Sequence, residues 1–149
     1  MLPSDRAPRA DQCNCFSVRK AARQITRFYD AHLQPTGLRI TQFLTLAILN
    51  EVPDAAIIDL ADRLDIEPTA MGKMVSTLER DHMVEVRRSA ADGRSRIVQM
   101  TAQGRRLFES AVPLWQEAQQ KFEEFNGTQS MNALRPGFSF PVAGGKAAT

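Results

Sequence analysis

Val84-Glu85-Val86-Arg87-Arg88-Ser89-Ala90-Ala91-Asp92-Gly93-Arg94-Ser95-Arg96-Ile97-Val98-Gln99-Met100-Thr101 is the stretch on which the fold turns. Apolar and polar residues alternate in Val84-Glu85-Val86-Arg87 and again around Ile97-Val98-Gln99-Met100, the period of a half-buried strand. Ala91-Asp92-Gly93 carries turn chemistry between them, so the stretch predicts two short strands closed into a β-hairpin. Arg87, Arg88, Arg94 and Arg96 crowd ten of these residues, 87–96, with Asp92 as the only acid there.

Upstream the period changes to that of helices. Pro68 suits the first position of a helix running to about Asp81, with Met71, Met74 or Val75, and Leu78 on its inner side. A turn at Asp65-Ile66-Glu67 separates it from a shorter amphipathic helix over Ile57–Leu64. Before Pro53-Asp54, a helix from about Thr41 to Asn50 is apolar nearly all round, with Thr41 able to cap it. The first helix spans about Gln12 to Leu33, with Phe16, Val18, Ala22, Ile25, Phe28, Tyr29 and Leu33 on its inner stripe and a basic opposite face. Gln34-Pro35-Thr36-Gly37 ends it.

Downstream, Thr101 can cap a long helix from about Ala102 to Phe125, with Leu107, Phe108, Ala111, Leu114, Trp115, Ala118 and Phe122 inward. Pro113 lies inside that span and is expected to bend or break it. Met131 to Leu134 reads as one more helical turn, and Pro136 to Thr149, rich in Gly, Pro and Ala, as a loose tail. The fold class is therefore mainly α with a small β-hairpin.

At 149 residues and 43% hydrophobic content, the chain is long and apolar enough to fold around one core. The net charge of +2 does not by itself announce a nucleic-acid binder; the clustering of the arginines does. No apolar run reaches the roughly 18–20 residues that a membrane helix needs. The polar Met1–Asp11 stretch, read as a flexible arm, has no apolar signal segment behind it. A cytoplasmic protein with no membrane partner is expected, its Cys13 and Cys15 reduced at rest.

Two short helices joined by a turn, followed at once by a basic hairpin, form a unit that fits DNA. The second helix fits the major groove, with Thr69, Ala70, Gly72, Lys73 and Ser76 on its non-core side. Arg94 and Arg96 on the hairpin suit the adjacent minor groove. Arg87, Arg88 and Thr69 suit backbone phosphates. A solvated hairpin or a module for protein contacts is the blander alternative. His-Glu-x-x-His, a phosphate loop, a dinucleotide fingerprint and a hydrolase elbow are all absent from the sequence, so an enzyme is not expected, nor a cofactor or metal site.

Asp92-Gly93-Arg94-Ser95-Arg96-Ile97-Val98-Gln99-Met100-Thr101-Ala102-Gln103-Gly104 resembles the wing signature of the MarR family of regulators, and Ile66 through Arg80 resembles that family's recognition helix. The resemblance runs from about Gln12 to Asn126. It implies a homodimeric winged helix-turn-helix regulator, most simply a repressor, reading a palindromic site on double-stranded DNA. The first helix (residues 12–36) and the last helices (102–135) would form the dimer, 37–101 the DNA-binding lobe, and 136–149 the tail. On the same ground Arg94 is the wing-tip arginine and Asp92 its salt-bridge and loop-shaping partner. His82 stands where the family has Gly at the end of the recognition helix. Histidine tolerates positive φ better than most residues.

Cys15-Phe16, with Tyr29 fourteen residues on, resembles the branch of that family that senses organic hydroperoxides, although Ile40 occupies the place of its second tyrosine. The resemblance implies an oxidisable Cys15 hydrogen-bonded by a tyrosine. Taken as residues of one helix, Cys13 and Cys15 point to nearly opposite sides and are not expected to bridge. Two incidental thiols are the alternative. A small aromatic or acyl ligand is the other candidate signal, in a pocket that Phe16, Phe28, Phe43, Leu46 and Trp115 would line.

Overall fold

The computed structural model describes residues 7–141 and 147–148. Residues 1–6 of the expected arm, and 142–146 and 149 of the expected tail, lie outside the described residues. The chain forms two compact units that divide inside a helix, one ending at Trp115 and the other beginning at Gln116.

In chain order the elements are α1 (Asn14–Leu33), α2 (Ile40–Glu51), β1 (Ala55–Ala56), α3 (Ile57–Leu64), α4 (Pro68–Arg80), β2 (Val84–Arg88), β3 (Arg96–Met100), α5 (Ala102–Asn126), α6 (Gln129–Leu134), β4 (Phe140–Pro141) and β5 (Ala147–Ala148). The fold is mainly helical with a small antiparallel sheet, as the hydrophobic periods predict. The sheet has three strands in the order β1-β3-β2, one more than the hairpin alone. In it Val84 faces Met100, Val86 faces Val98 and Arg88 faces Arg96, while Ala55 of β1 faces Val98 from the other side.

Two helix starts differ in their chemistry from the sequence reading. Thr41 does not cap α2. The helix opens one residue earlier, with the Ile40 N–H donating to the Asp30 carboxylate at 2.8 Å and the Arg39 N–H to Gln42 Oε1 at 3.0 Å. A carboxylate from α1 thus does what a neighbouring hydroxyl was expected to do, and a negative charge there also suits the helix dipole. At the start of α1, Cys13 is the residue before the helix, in an extended conformation (φ −80°, ψ 122°). The separation of two thiols along a helix therefore does not apply to Cys13 and Cys15.

The core of the first unit gathers one face from each element. Leu33, Phe43, Leu46, Leu49, Leu60, Met71, Val75, Leu78, Val84, Val98, Phe108 and Ala111 are buried together. Met71, Val75 and Leu78 repeat at four and three, so one stripe of α4 is spent on the core and the opposite stripe stays outside. Thr45, the one polar side chain in the interior among the described residues, donates its hydroxyl to the Thr41 carbonyl at 2.8 Å. The N-terminal half of α1 departs from the predicted stripe: Phe16 is 45% and Val18 48% exposed.

Thr101 does cap α5, accepting the Gly104 N–H at 2.9 Å. The break that Pro113 was expected to cause is absent, since α5 runs unbroken through it. Proline removes one internal hydrogen bond, and the burial of Phe108 and Ala111 in the turn before it holds the register. In the second unit, Lys121 pairs with Glu117 at 2.7 Å, Arg135 with Glu123 at 3.9 Å, and Phe125 is 83% exposed. The tail, expected to be loose, has its Phe140–Pro141 backbone paired antiparallel with Ala147–Ala148.

Candidate nucleic-acid interface

The outer stripe of α4 is built by the residues that frame it. Asp65 closes α3 in the left-handed region (φ 52°), and the Ile66 N–H reaches back to the Ala61 carbonyl at 2.9 Å. Two residues later Pro68 opens α4 with its φ preset for a helix. At the far end the Glu79 carboxylate accepts the Val86 N–H at 3.0 Å and ties α4 to β2. His82 then turns the chain into β2 at φ 60°, the conformation a glycine would take without strain.

Thr69, Gly72, Lys73, Ser76, Thr77 and Arg80 of α4 form one wall of an open cleft of about 860 Å³. Arg94, Ser95 and Arg96 of the hairpin form the other, and Ala56, Ile57 and Ile58 at the start of α3 close one end together with Pro68. Six of the residues expected from sequence meet here: Thr69, Gly72, Lys73, Ser76, Arg94 and Arg96. Ala70, Arg87, Arg88 and Asp92 are exposed but do not line the cleft. Arg87 instead approaches Asp54 at 3.7 Å, a surface pair of little energetic weight.

Sequence reasoning missed Ile57, Ile58, Thr77 and Arg80. Arg80 was within reach of it, because Thr69, Lys73, Ser76 and Arg80 repeat at four, three and four along a single helix face. Nothing in the pattern of α3 singles out Ile58.

The loop between β2 and β3 is shaped by Asp92. Its Oδ1 accepts the N–H of Arg94 and of Ser95, each at 2.9 Å, and its Oδ2 accepts the Ser95 hydroxyl at 2.8 Å. These bonds, those from Ser95 first, hold the Asp92 carboxyl below the usual carboxylate range. Gly93 adopts φ 66°, and its N–H donates to the Ser89 carbonyl at 2.9 Å. Asp92 therefore shapes the loop as expected, but through backbone amides: among the described residues no ion pair joins it to Arg94. Nor does any engage Lys73, Arg80 or Arg96 among them, so both walls of the cleft carry cations that are in no ion pair among the described residues.

The α4 hydroxyls are partly committed. Ser76 donates to the Gly72 carbonyl at 2.9 Å and Thr77 to the Lys73 carbonyl at 3.1 Å, which leaves their oxygen lone pairs as acceptors. Gly72 costs the helix about 1 kcal/mol relative to alanine, and a Cβ there would meet no heavy atom within 4 Å.

The expected sensor residues are scattered. Cys13 and Cys15 are exposed free thiols. Tyr29 is buried near the far end of the same helix, α1, fourteen residues or roughly 21 Å of helical rise from Cys15, so a single chain does not join them. Phe16 lines a shallow basic depression on α1 with Arg19, Lys20, Arg23, Gln24 and Arg27, apart from the other aromatic residues proposed for a pocket. Phe43 is core: its ring lies 5.3 Å from that of Phe108 and stacks on Trp115 at 5.9 Å. His32 donates Nδ1–H to the Phe28 carbonyl at 2.9 Å, and no cluster of three metal-ligating side chains occurs among the described residues.

A family model described as the MarR family matches residues 38–95, which span α2 through the hairpin loop. The crystal structure of the transcriptional regulator MosR of Mycobacterium tuberculosis, in complex with DNA, is 33% identical, with a TM-score of 0.77 over 84% of this chain and 92% of that one. Among curated proteins, the organic hydroperoxide resistance transcriptional regulator of Bacillus subtilis is 25% identical over 100 residues, 67% of this chain and 68% of that protein. An HTH-type transcriptional repressor of Mycobacterium bovis is 33% identical over 81 residues, 54% of this chain and 58% of the repressor.

Proposed function

We propose that this chain, which belongs to the MarR family of DNA-binding transcription regulators, is a repressor that binds a palindromic operator as a homodimer and is released by an oxidant or a small aromatic or acyl ligand. The observation that carries the DNA reading is the cleft between α4 and the hairpin, walled on both sides by cations that are in no ion pair among the described residues. The α4 wall, with Lys73, Ser76 and Arg80, enters the major groove and meets base edges. Arg94 and Arg96 enter the flanking minor groove, and Thr69, Arg87 and Arg88 meet phosphates. Ala70 stands at the DNA-facing start of α4, and Asp92 holds Arg94 in place through its backbone.

Residues 37–101 act as the DNA-binding lobe, and residues 12–36 and 102–135 as the dimerisation elements. The exposed Phe16 and Val18 on α1, and Phe125 on α5, support this, since a monomer would leave them in water. No described helix is long and apolar enough to cross a membrane; a regulator of this kind works in the cytoplasm. The oxidant reading is favoured by the exposure of Cys13 and Cys15 and by the name of the Bacillus subtilis relative.

The test is selection of duplexes from a random-sequence library by the full-length chain, with sedimentation of the free protein at micromolar concentration. Enrichment of an inverted repeat, with a dimer in solution and binding that weakens steeply with salt, is expected. A folded monomer, or no enrichment, sinks the proposal.

A further inference from the structure

Two residues on the walls of the cleft do nothing for the free protein. Gly72 sits mid-helix in α4, where a left-handed backbone is not needed and a Cβ would touch nothing. Neither backbone geometry nor packing requires glycine there, and it weakens the helix. Ile58, the second residue of α3, is 58% exposed, while its neighbour Ile57 packs on the core. A β-branched aliphatic side chain left in water at an exposed helix position gains neither burial nor helix propensity. Both residues line the same cleft, beside Thr69 and Lys73.

An aliphatic side chain and a missing one in the same cleft leave room for an apolar group in an otherwise cationic surface. Such a space suits neither a phosphate nor a hydrogen-bonding base edge. Of the groups that base pairs display in the major groove, the apolar one is the thymine C5-methyl. We infer that Ile58 and Gly72 form a seat for one thymine methyl in each half-site, so that this pair sets a specificity for thymine that the cationic residues of the cleft cannot supply. The clearance at Gly72 lets the base approach the α4 backbone, and Ile58 closes over the methyl group. The inference rests on the DNA-binding reading above.

The experiment uses the best duplex that the full-length chain selects from a random library. Each thymine is replaced singly by deoxyuridine, which removes only the methyl group. Affinity is then measured for wild type, Ile58→Ala and Gly72→Ala. At one thymine per half-site, uracil is expected to weaken wild-type binding about fourfold, the equivalent of one buried methyl group. Ile58→Ala should bind the thymine duplex weakly and be indifferent to that uracil. Gly72→Ala should melt at a higher temperature than wild type yet bind the selected duplex at least about tenfold less tightly, a pair of opposite signs that loss of folding does not produce. Wild-type tolerance of uracil at every position overturns the inference. So does an Ile58→Ala variant that still feels the uracil as wild type does, or a Gly72→Ala variant that binds normally. A chain that enriches no duplex overturns the DNA-binding reading itself, and the methyl seat with it.

Discussion

Gly104, in the first turn of α5, lies against the backbone carbonyl of Met83 so closely that a methyl group on its α-carbon would overlap the oxygen. The same carbonyl accepts the Thr101 N–H at 3.0 Å, and the Thr101 hydroxyl donates to the His82 carbonyl at 2.6 Å while accepting the Gly104 N–H. The turn that follows α4 and the start of α5 are thus locked together by backbone groups on one side and a threonine on the other. This places the root of the hairpin relative to the helix that feeds it.

Gly104→Ala is therefore expected to destabilise the protein by roughly 1–3 kcal/mol, because backbone on both sides must shift to admit the new atom. A urea titration followed by circular dichroism measures it. A variant as stable as wild type would mean that the close approach is not held in solution.

Arg94→Ala should leave the fold intact, since the side chain is exposed and makes no ion pair among the described residues. It is expected to cost roughly 1–3 kcal/mol of specific DNA binding. Arg87→Ala, whose cation already has Asp54 beside it, should cost less. Parallel titrations of both variants on a selected duplex order the two effects, and equal losses would contradict the separate roles given to the cleft and to the strand outside it.

Asp92 makes a statement about pH. Its carboxyl is held below the usual range by the Ser95 and Arg94 donors, so the loop contacts are at full strength above the unfolded-state value near about 3.9 and weaken as pH falls through the lower folded value. Loop geometry, and binding that depends on it, should be indifferent to the protonation of Asp92 from neutrality down to about pH 5. Carboxyl carbon shifts followed by NMR would place the Asp92 titration below that of an unstructured aspartate. A normal midpoint would mean that the three hydrogen bonds are not formed. Asp92→Ala, folded but with its loop unpinned, should bind DNA less tightly than wild type.

The exposed thiols define a fourth experiment, the release of DNA on adding an organic hydroperoxide. Attack of a Cys15 thiolate on the peroxide oxygen would expel the alcohol and leave a sulfenic acid. Wild type and Cys13→Ser should then release DNA and Cys15→Ser should not. Because Cys13 precedes the helix rather than lying on it, the sulfenic acid also has a thiol two residues away that helical geometry does not keep apart from it. Equal behaviour of all three proteins would exclude oxidation at Cys15 as the signal.

Helices and hairpin were legible because their apolar residues repeat at the right period: Met71, Val75 and Leu78 mark α4, and Val84, Val86 and Val98 mark the strands. Two of the departures share one cause, an interaction with a residue distant in sequence. Ala55–Ala56 has no alternation to read and is a strand only because β3 lies beside it. Thr41 looked like a cap, and Asp30, ten residues upstream, took the role. In the cleft, the polar face of α4 followed from helical spacing, and so could Arg80 have done. Ile58 could not, because an isoleucine in a sequence reads as core until its exposure is known. Asp92 was read as a loop-shaping ion-pair partner of Arg94, and its oxygens accept amides rather than the guanidinium beside them.

The two residue pairs that join β1 to β3, Ala55 with Val98 and Ala56 with Ile97, place the strand that leads directly into α3 on the same hydrogen-bonded ladder as the hairpin. Strands in a ladder stand about 4.8 Å apart and do not slide. The reading head is thus cast as a die, with the hairpin wall and the α3 end of the cleft rooted in one sheet. In the proposed homodimer, control would act as a caliper does, on the gap between two such dies. DNA presents the same groove again after about 34 Å, so a change of a few ångströms in that gap is enough to let only one die engage at a time.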